Sequence, residues 1–390
     1  MKIYFFSPYD LLRAKTNSIA DIHLCEGFAQ NGCEVEMIVP YVHRKDNIRR
    51  KDIGQVYGVH TPFRISILPT PFRDGMSKWL TLPVMVIAFA MTTLRILFTN
   101  IGRYREVTII SRSVDLLLPS ILLKRLLRLR RGPKVICWAH EIIFKRRYLW
   151  VYRNSDGVIA TNSAITADLE RIAGIPAAAL AVSLNPITEQ HLEEQWTRES
   201  AREKLGLVVD KPLVVYTGKL YVGQREAEYL LEAARQLPQY HFLFTGGKPN
   251  VISHYARQCA ERDIANVSFT GFLYRYHDVR LYQYAADALV SYYSRHDHLV
   301  TYNLPNKICE YMLTRNPIIT SDYPAIKDVL NRDNAILVEP ENVAALCEAL
   351  RRALENTAQS AKLAQRSFDD VKEMTFLKRT KSLLDFINGL

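Results

Sequence analysis

The sequence predicts two α/β domains of the doubly wound kind, each built on a parallel sheet, facing one another across a cleft. Three observations carry that expectation. Short apolar runs of strand length alternate with amphipathic helical stretches from Lys2 to Ser183, and the alternation restarts at Leu213. The 390 residues, 48% of them hydrophobic, suffice for two cores. Charge is also uneven: residues 1–190 hold 26 Lys and Arg against 15 Asp and Glu, whereas the remainder holds 25 of each. The whole formal charge of +11 therefore sits on the first half. The expected domains are 1–190 and 191–365, followed by a helical segment, 366–390.

Taken in order, Lys2–Ser7 and Glu34–Pro40 read as strands around a helical run, Ile19–Gln30, that ends at the Asn31-Gly32 turn. Arg64–Leu68, Val107–Ser111, Lys134–Ala139, Gly157–Thr161 and Ala181–Ser183 supply further strands, with a helix over Ala164–Ala173 stopped by Gly174. Asn185-Pro186 closes the first half, and the polar stretch Thr188–Glu203 reads as the passage between domains. In the second half, strands are expected at Leu213–Thr217, Tyr240–Thr245, Val267–Thr270, Ala288–Ser291 and Ala335–Val338. Helices are expected at Glu226–Leu237, Asp278–Ala286, Asn342–Glu355 and Phe368–Leu390.

Two stretches of the basic half bear on its partner. Trp79–Leu94 runs without a charge until Arg95, but it falls short of the ~20 residues of a span and contains Pro83, so a buried or interfacial helix is expected. Leu116–Arg131 sets Lys124, Arg128 and Arg131 at helical spacing beside leucines, a pattern that suits an anionic membrane surface and equally a plain covering helix. Arg49-Arg50-Lys51 and Lys145-Arg146-Arg147 tilt the balance toward the membrane. The basic residues lack interleaved aromatics, which argues against nucleic acid. The six cysteines have no CxxC spacing and read as small buried residues of a reducing compartment, and His23, Cys25, Cys33 and His43 make only a faint metal pattern. No metal site and no cofactor are expected. Lys-Ile-Tyr-Phe-Phe opens the chain as a strand rather than a signal peptide, so the expected location is the cytoplasm, peripheral on the inner face of the membrane.

The stretch with the most chemistry is Tyr302–Ser321. Asn303 and Pro305 are helix-opening residues, which puts Lys307 in a first turn where the helix dipole makes a cation misplaced. An anion held by Lys307 and the free N–H groups would account for it. Glu310 follows one turn on, where a carboxylate could accept two hydroxyls of a ribose, although a solvated Lys–Glu pair has the same spacing. Asn316-Pro317 ends the helix ahead of a buried strand at Ile318. Elsewhere Gly218-Lys219 follows strand Leu213–Thr217, and a glycine there lets backbone approach phosphate while the lysine neutralises it. His140 likewise follows a strand end, where open α/β sheets place ligands.

The wording Pro-Asn-Lys-x-x-Glu-Tyr-Met followed by Asn-Pro-Ile-Ile resembles the nucleotide-sugar signature of the retaining glycosyltransferases with two Rossmann-like domains. That is the GT-B fold of glycosyltransferase family 4, or glycosyl transferases group 1. The resemblance implies that Glu310 is the second acid of a Glu-x7-Glu motif and holds the ribose, with Asn306 and Lys307 at the diphosphate. The first acid falls at Tyr302, a departure from the motif, and His296-Asp297-His298 are candidates for the missing sugar contacts. The family has Gly-Arg or Gly-His after the first strand of its second domain and a Lys or Arg five residues later. Here the chain has Gly218 and Lys219, then Gln224 with Arg225 beside it. Gly246 and Gly247 would lie along the diphosphate and sugar, and Phe272 and Leu273, in Thr270–Leu273, at the nucleobase. His140 would face the donor sugar and acceptor. The family's first-loop glycines are replaced by Asp10–Asn17, leaving Arg13 and Lys15 as candidates for an anionic ligand. The last helix is expected to cross back to the first domain.

The expected function is therefore retaining transfer of a sugar from a nucleoside-diphosphate sugar to an acceptor, in cell-envelope polysaccharide or glycolipid synthesis, with His140, Lys219 and Lys307 as catalytic residues. The acceptor is unidentified; a lipid-linked or polysaccharide acceptor fits the basic first domain. Two alternatives stand. A sugar-nucleotide 2-epimerase of the same fold would convert donor alone to an epimer. A non-catalytic membrane- or anion-binding module would bind liposomes and release no nucleoside diphosphate.

Overall fold

The structure, a computed structural model, describes residues 1–9, 11, 16–43, 53–73, 76–129, 132–140, 142, 145–184, 186–208, 210–273, 275–294, 302 and 304–390. Arg13, Lys15, Arg49-Arg50-Lys51, Arg131, Asn185, His296-Asp297-His298 and Asn303 lie outside them. The chain forms two compact units, Met1–Ser183 with Phe376–Leu390, and Leu184–Thr375.

The first unit runs β1 (Lys2–Phe6), α1 (Thr16–Gln30), β2 (Glu34–His43), α2 (Ile53–Tyr57), β3 (Arg64–Arg73), α3 (Lys78–Thr99), β4 (Val107–Ser111), α4 (Val114–Leu126), β5 (Lys134–Ala139), α5 (Arg146–Asn154), β6 (Gly157–Ala160), α6 (Ser163–Ala173) and β7 (Leu180–Val182). All seven strands pair in parallel in the order β3-β2-β1-β4-β5-β6-β7. The order reverses between β1 and β4, which opens a crevice at their carboxyl ends. The apolar runs became strands because every residue of β4 and β6 is buried, as a sheet covered on both faces requires. Asn162 caps α6 by accepting from the Ile165 N–H at 3.0 Å, and Gly174 ends it in the left-handed conformation.

The charge-free run Trp79–Leu94 lies in a longer helix, α3, which continues past Arg95 to Thr99. The Arg95 guanidinium leaves the apolar surroundings by pairing with Glu36 at 2.8 Å. Of the stretch Leu116–Arg131, read as a basic amphipathic or a plain covering helix, the described part is helical only to Leu126, the end of α4, and Arg128 turns to a φ of 48°. Lys124 is occupied within the fold, its ammonium bonding both oxygens of Asp156 at 2.8 and 2.7 Å. Of the faint metal pattern, Cys25 is core, and His23 Nδ1 lies 3.0 Å from Glu26, which accepts from the His60 and Thr61 N–H groups.

The second unit runs α7 (Glu189–Glu193), α8 (Arg198–Leu205), β8 (Leu213–Thr217), α9 (Arg225–Gln236), β9 (His241–Thr245), α10 (Pro249–Glu261), β10 (Val267–Gly271), α11 (Tyr276–Ala285), β11 (Ala288–Ser291), α12 (Asn306–Met312), β12 (Ile318–Ser321), β13 (Ile336–Val338), α13 (Val343–Glu355) and α14 (Thr357–Val371). Its six strands are parallel in the order β10-β9-β8-β11-β12-β13, with the reversal between β8 and β11. Thr188–Glu203, expected as a passage, is folded into this unit. Its reason is Arg280, 2% exposed, whose guanidinium lies 4.9 Å from the Trp196 ring centroid and donates to the Glu194 carboxylate at 2.7 Å and its carbonyl at 2.8 Å. A buried cation needs such partners, and the stretch supplies them.

The segment expected as one helix from Phe368 is two. Phe368 and Val371 end α14 in the core of the second unit, and α15 (Phe376–Gly389) belongs to the first. Phe376, Leu383 and Ile387 of α15 join the core formed by Phe5, Phe28 and Ile136. The contact with α1 is close: a Cβ on Gly27 would stand 2.8 Å from Thr380 Oγ1, and Asn31 donates to the Leu377 carbonyl at 3.0 Å.

Candidate functional site

The carboxyl ends of β8, β9 and β10, beside the reversal point of the second sheet, are a stack of three glycine turns. The Gly218 N–H donates to the Thr245 carbonyl and the Gly246 N–H to the Gly271 carbonyl, both at 3.0 Å. Gly246, at φ 128°, passes so close to its neighbour that a Cβ there would stand 1.9 Å from the Gly218 carbonyl oxygen. No side chain fits that approach. Gly247, at φ 90°, continues the turn.

Lys307 points to this stack. Its helix is shorter than the motif suggests: Pro305 is the N-cap rather than the first helical residue, and α12 ends at Met312, four residues before Asn316. Seven residues align few peptide dipoles, so the charge at this end comes mainly from Lys307 itself. The Lys307 ammonium lies 4.0 Å from the Tyr216 ring centroid and 5.2 Å from that of Tyr293, and a Cβ on Gly218 would be 3.6 Å from it. Burial lowers its pKa to about 7, opposed by the carboxylates of Glu226 and Glu310. Two aromatic faces thus hold a cation that gains by meeting an anion.

The Tyr216 ring is held in turn by Gln224, whose Nε2 donates to Tyr216 Oη at 3.1 Å while its N–H donates to Tyr255 Oη at 3.3 Å. Gln224 occupies the position where the resembling family carries a cation, and here it is 5% exposed and orients an aromatic ring. Glu310 is half-buried. It accepts from Gln283 Nε2 at 2.7 Å and from the Tyr276 hydroxyl. Gln283 also donates to Thr217 Oγ1 at 3.1 Å, which fixes the carboxylate to β8. Burial raises the Glu310 pKa despite those donors.

The structure brings Gly218, Gly246, Gly247, Lys307 and Glu310 to one edge of the second sheet. Lys219, Arg225, Asn306 and Phe272 are exposed side chains near the same edge, at the turn after β8, the start of α9, the start of α12 and the turn after β10, and Leu273 is half-buried. Tyr302, where the motif's first acid is missing, is half-buried. Sequence reading passed over Tyr216, Tyr276, Gln283 and Glu226, because residues of strands and apolar helices look like core. The lone signal was the glutamine at 224.

In the first unit, His140 follows β5 and lines a cavity of about 350 Å³ with Tyr9, Arg112, Trp138, Tyr148 and Tyr152. The cavity lies at the carboxyl ends of β4 and β5. Arg112, paired with buried Asp21 at 2.7 Å, sits 5.3 Å from the Trp138 ring centroid. Burial, reinforced by Arg112, depresses the His140 pKa to about 3, and its Nε2 has no hydrogen-bond partner among the described residues. The imidazole is therefore neutral at pH 7 and can orient a hydroxyl but not deliver a proton as an imidazolium. A larger cavity, about 490 Å³, opens at the amino ends of β8, β11 and β12, lined by Pro212, Asp287 and Pro317. Arg198 and Arg202 there are already paired with Asp287, and the amino end of a parallel sheet is the wrong end for a ligand.

Comparison with known proteins bears on the fold and the family. Residues 211–356 match the family model described as glycosyl transferases group 1. That match lies within the second unit, and the chain has the two-domain GT-B fold. Among curated proteins it is 25% identical over 199 residues to TuaC of Bacillus subtilis (strain 168), a glycosyltransferase assigned to teichuronic acid biosynthesis. That match covers 50% of this chain and 46% of TuaC, so about half of each. Among solved structures, Anabaena Alr3699/HepE in complex with UDP superposes with a TM-score of 0.73 at 15% identity over 100% of both chains. Sucrose-phosphate synthase from Thermosynechococcus elongatus gives 0.70 at 20% identity, over 98% of this chain and 97% of that one. At such identities these two likenesses establish the fold.

Proposed function

We propose that the protein is a retaining glycosyltransferase that moves a sugar from a nucleoside-diphosphate sugar to an acceptor taken by the first unit, in cell-envelope polysaccharide or glycolipid synthesis. The observation that carries this reading is the half-buried Lys307 ammonium beside the Gly218 turn, where glycine backbone admits a diphosphate. The complexes of Alr3699/HepE with UDP and with UDP-glucose support a nucleotide-sugar donor, and the TuaC match supports an envelope polysaccharide.

In the proposed reaction the bond between the sugar's anomeric carbon and the diphosphate oxygen breaks as the acceptor oxygen bonds that carbon from the same face. The acceptor's proton passes to the departing phosphate oxygen. Lys307 and Lys219 stabilise the charge that develops on the diphosphate, Glu310 holds the ribose hydroxyls, and neutral His140 orients the acceptor hydroxyl. With that charge met by lysines, turnover in a chelator is expected to equal turnover in magnesium, measured as UDP or GDP release. A tenfold loss on chelation would remove the metal-free reaction.

Donor identity is tested by a panel of UDP- and GDP-sugars. One base series is expected to raise the thermal midpoint, because a ligand that binds only the folded state stabilises it. No shift with any of them would overturn the reading. Within the site, Glu310→Gln is expected to weaken nucleoside diphosphate binding about tenfold by removing a charged acceptor. Unchanged affinity by calorimetry would take Glu310 out of the ribose role.

A further inference from the structure

Helix α3 presents an apolar face to solvent that the fold leaves uncovered. Leu80, Ile87, Met91 and Phe98 are all exposed, and their spacing of seven, four and seven puts them on one line along the helix. Trp79, 90% exposed, lies beside its start, and Ile101 follows its end. The helix is long and apolar enough to cross a bilayer by composition, over Trp79–Thr99. Its packing excludes that. The opposite face is tied down: Phe89 is fully buried, 4.9 Å from the Phe6 ring, and Thr93 Oγ1 lies 2.9 Å from Ser120 Oγ of α4. Both ends of α3 also lead into strands of one sheet, β3 and β4.

From these contacts we infer that α3 lies flat in the surface of an anionic lipid bilayer and docks the first unit there. The neighbouring helix α4 adds Leu126, 78% exposed, one turn from exposed Leu122. Charge selects the occupant. Arg103 and Arg105 follow the end of α3, Arg125 and Arg128 lie at the end of α4, and all four are exposed. Residues 1–190 hold the chain's whole formal charge of +11. A second copy of this face would bring those cations against themselves, whereas anionic headgroups neutralise them as the apolar line sinks to the acyl boundary. Tryptophan at the start of such a helix suits the interface, where an apolar ring and its N–H are both accommodated. Exposed apolar lines of this length mark interaction surfaces rather than ordinary solvent faces. The inference does not rest on the transfer reaction.

The test is flotation of the full chain with vesicles of phosphatidylcholine alone and of phosphatidylcholine mixed with phosphatidylglycerol. Wild type is expected to float with the mixed vesicles, less so in high salt. The double variant Ile87→Glu, Met91→Glu is expected to partition about tenfold less or weaker still. Arg103→Gln with Arg105→Gln is expected to reduce the preference for phosphatidylglycerol and leave the apolar part. Trp79 emission, taken as wild type minus Trp79→Phe, is expected to move to shorter wavelength on the mixed vesicles, and it needs no folded double variant. Equal flotation of wild type and the glutamate variant overturns the inference. So does a wild-type dimer that the glutamate variant splits and that fails to float. Nucleotide binding by calorimetry separates the two proposals: its loss in wild type sinks the donor site and leaves the flotation result standing.

Discussion

Lys307→Ala is expected to cut sugar transfer by about two to three orders of magnitude while the thermal midpoint at pH 7 stays at or above that of wild type. The first number is the usual effect of removing one preorganised charge from a leaving group. The second follows from linkage. Burial lowers the Lys307 pKa to about 7, below its unfolded value, so the unfolded chain binds the proton more tightly. Wild-type stability from this group therefore rises between pH 7 and the ordinary lysine range, and the alanine variant loses nothing by lacking a buried ammonium. Donor affinity runs the other way. A diphosphate favours the charged amine, so affinity is expected to fall as pH rises above about 7, and Lys307→Arg, charged throughout, should flatten that profile. Calorimetry across pH 6 to 9 checks this; a pH-independent wild type would show that Lys307 does not meet the anion.

Gly246→Ala is expected to cost the second unit about 3 kcal/mol and to abolish nucleoside diphosphate binding. Its Cβ would stand 1.9 Å from a backbone oxygen, not from a side chain that could swing aside. Relief would have to come from separating the turns after β8 and β9, which unmakes the floor beneath Lys307. Gly206→Ala is the control. It has a φ of 62° but open space around its Cβ, so only the conformational cost of about 1 kcal/mol applies. Equal melting shifts for the two variants would mean that the close approach contributes nothing.

Most strands were legible because a covered parallel sheet demands uninterrupted apolar runs, as at Val107–Ser111 and Leu213–Thr217. Ends of helices were less so. The run of α3 past Arg95 was hidden because the partner of that charge, Glu36, is distant in sequence, and the end of α4 at Leu126 was hidden because nothing in the sequence marks Arg128 as left-handed. Thr188–Glu203 read as a passage since its polarity hid the demand of Arg280. In the site, the glycines and the Lys307–Glu310 pair announced themselves by unusual chemistry at strand and helix ends. Tyr216 and Gln283 did not, because a tyrosine in a strand and a glutamine in a helix carry no sign that their polar tips will be used.

The return of α15 has a consequence for biogenesis. Translation proceeds from the first residue, so the ribosome must complete residues 184–375 before it makes the helix that supplies Phe376, Leu383 and Ile387 to the earlier core. The unit synthesised first is thus the last to be sealed, and until then the surface around Gly27 stays open to chaperones and to aggregation. A fusion or truncation at residue 376 or beyond would accordingly injure the opposite end of the polypeptide.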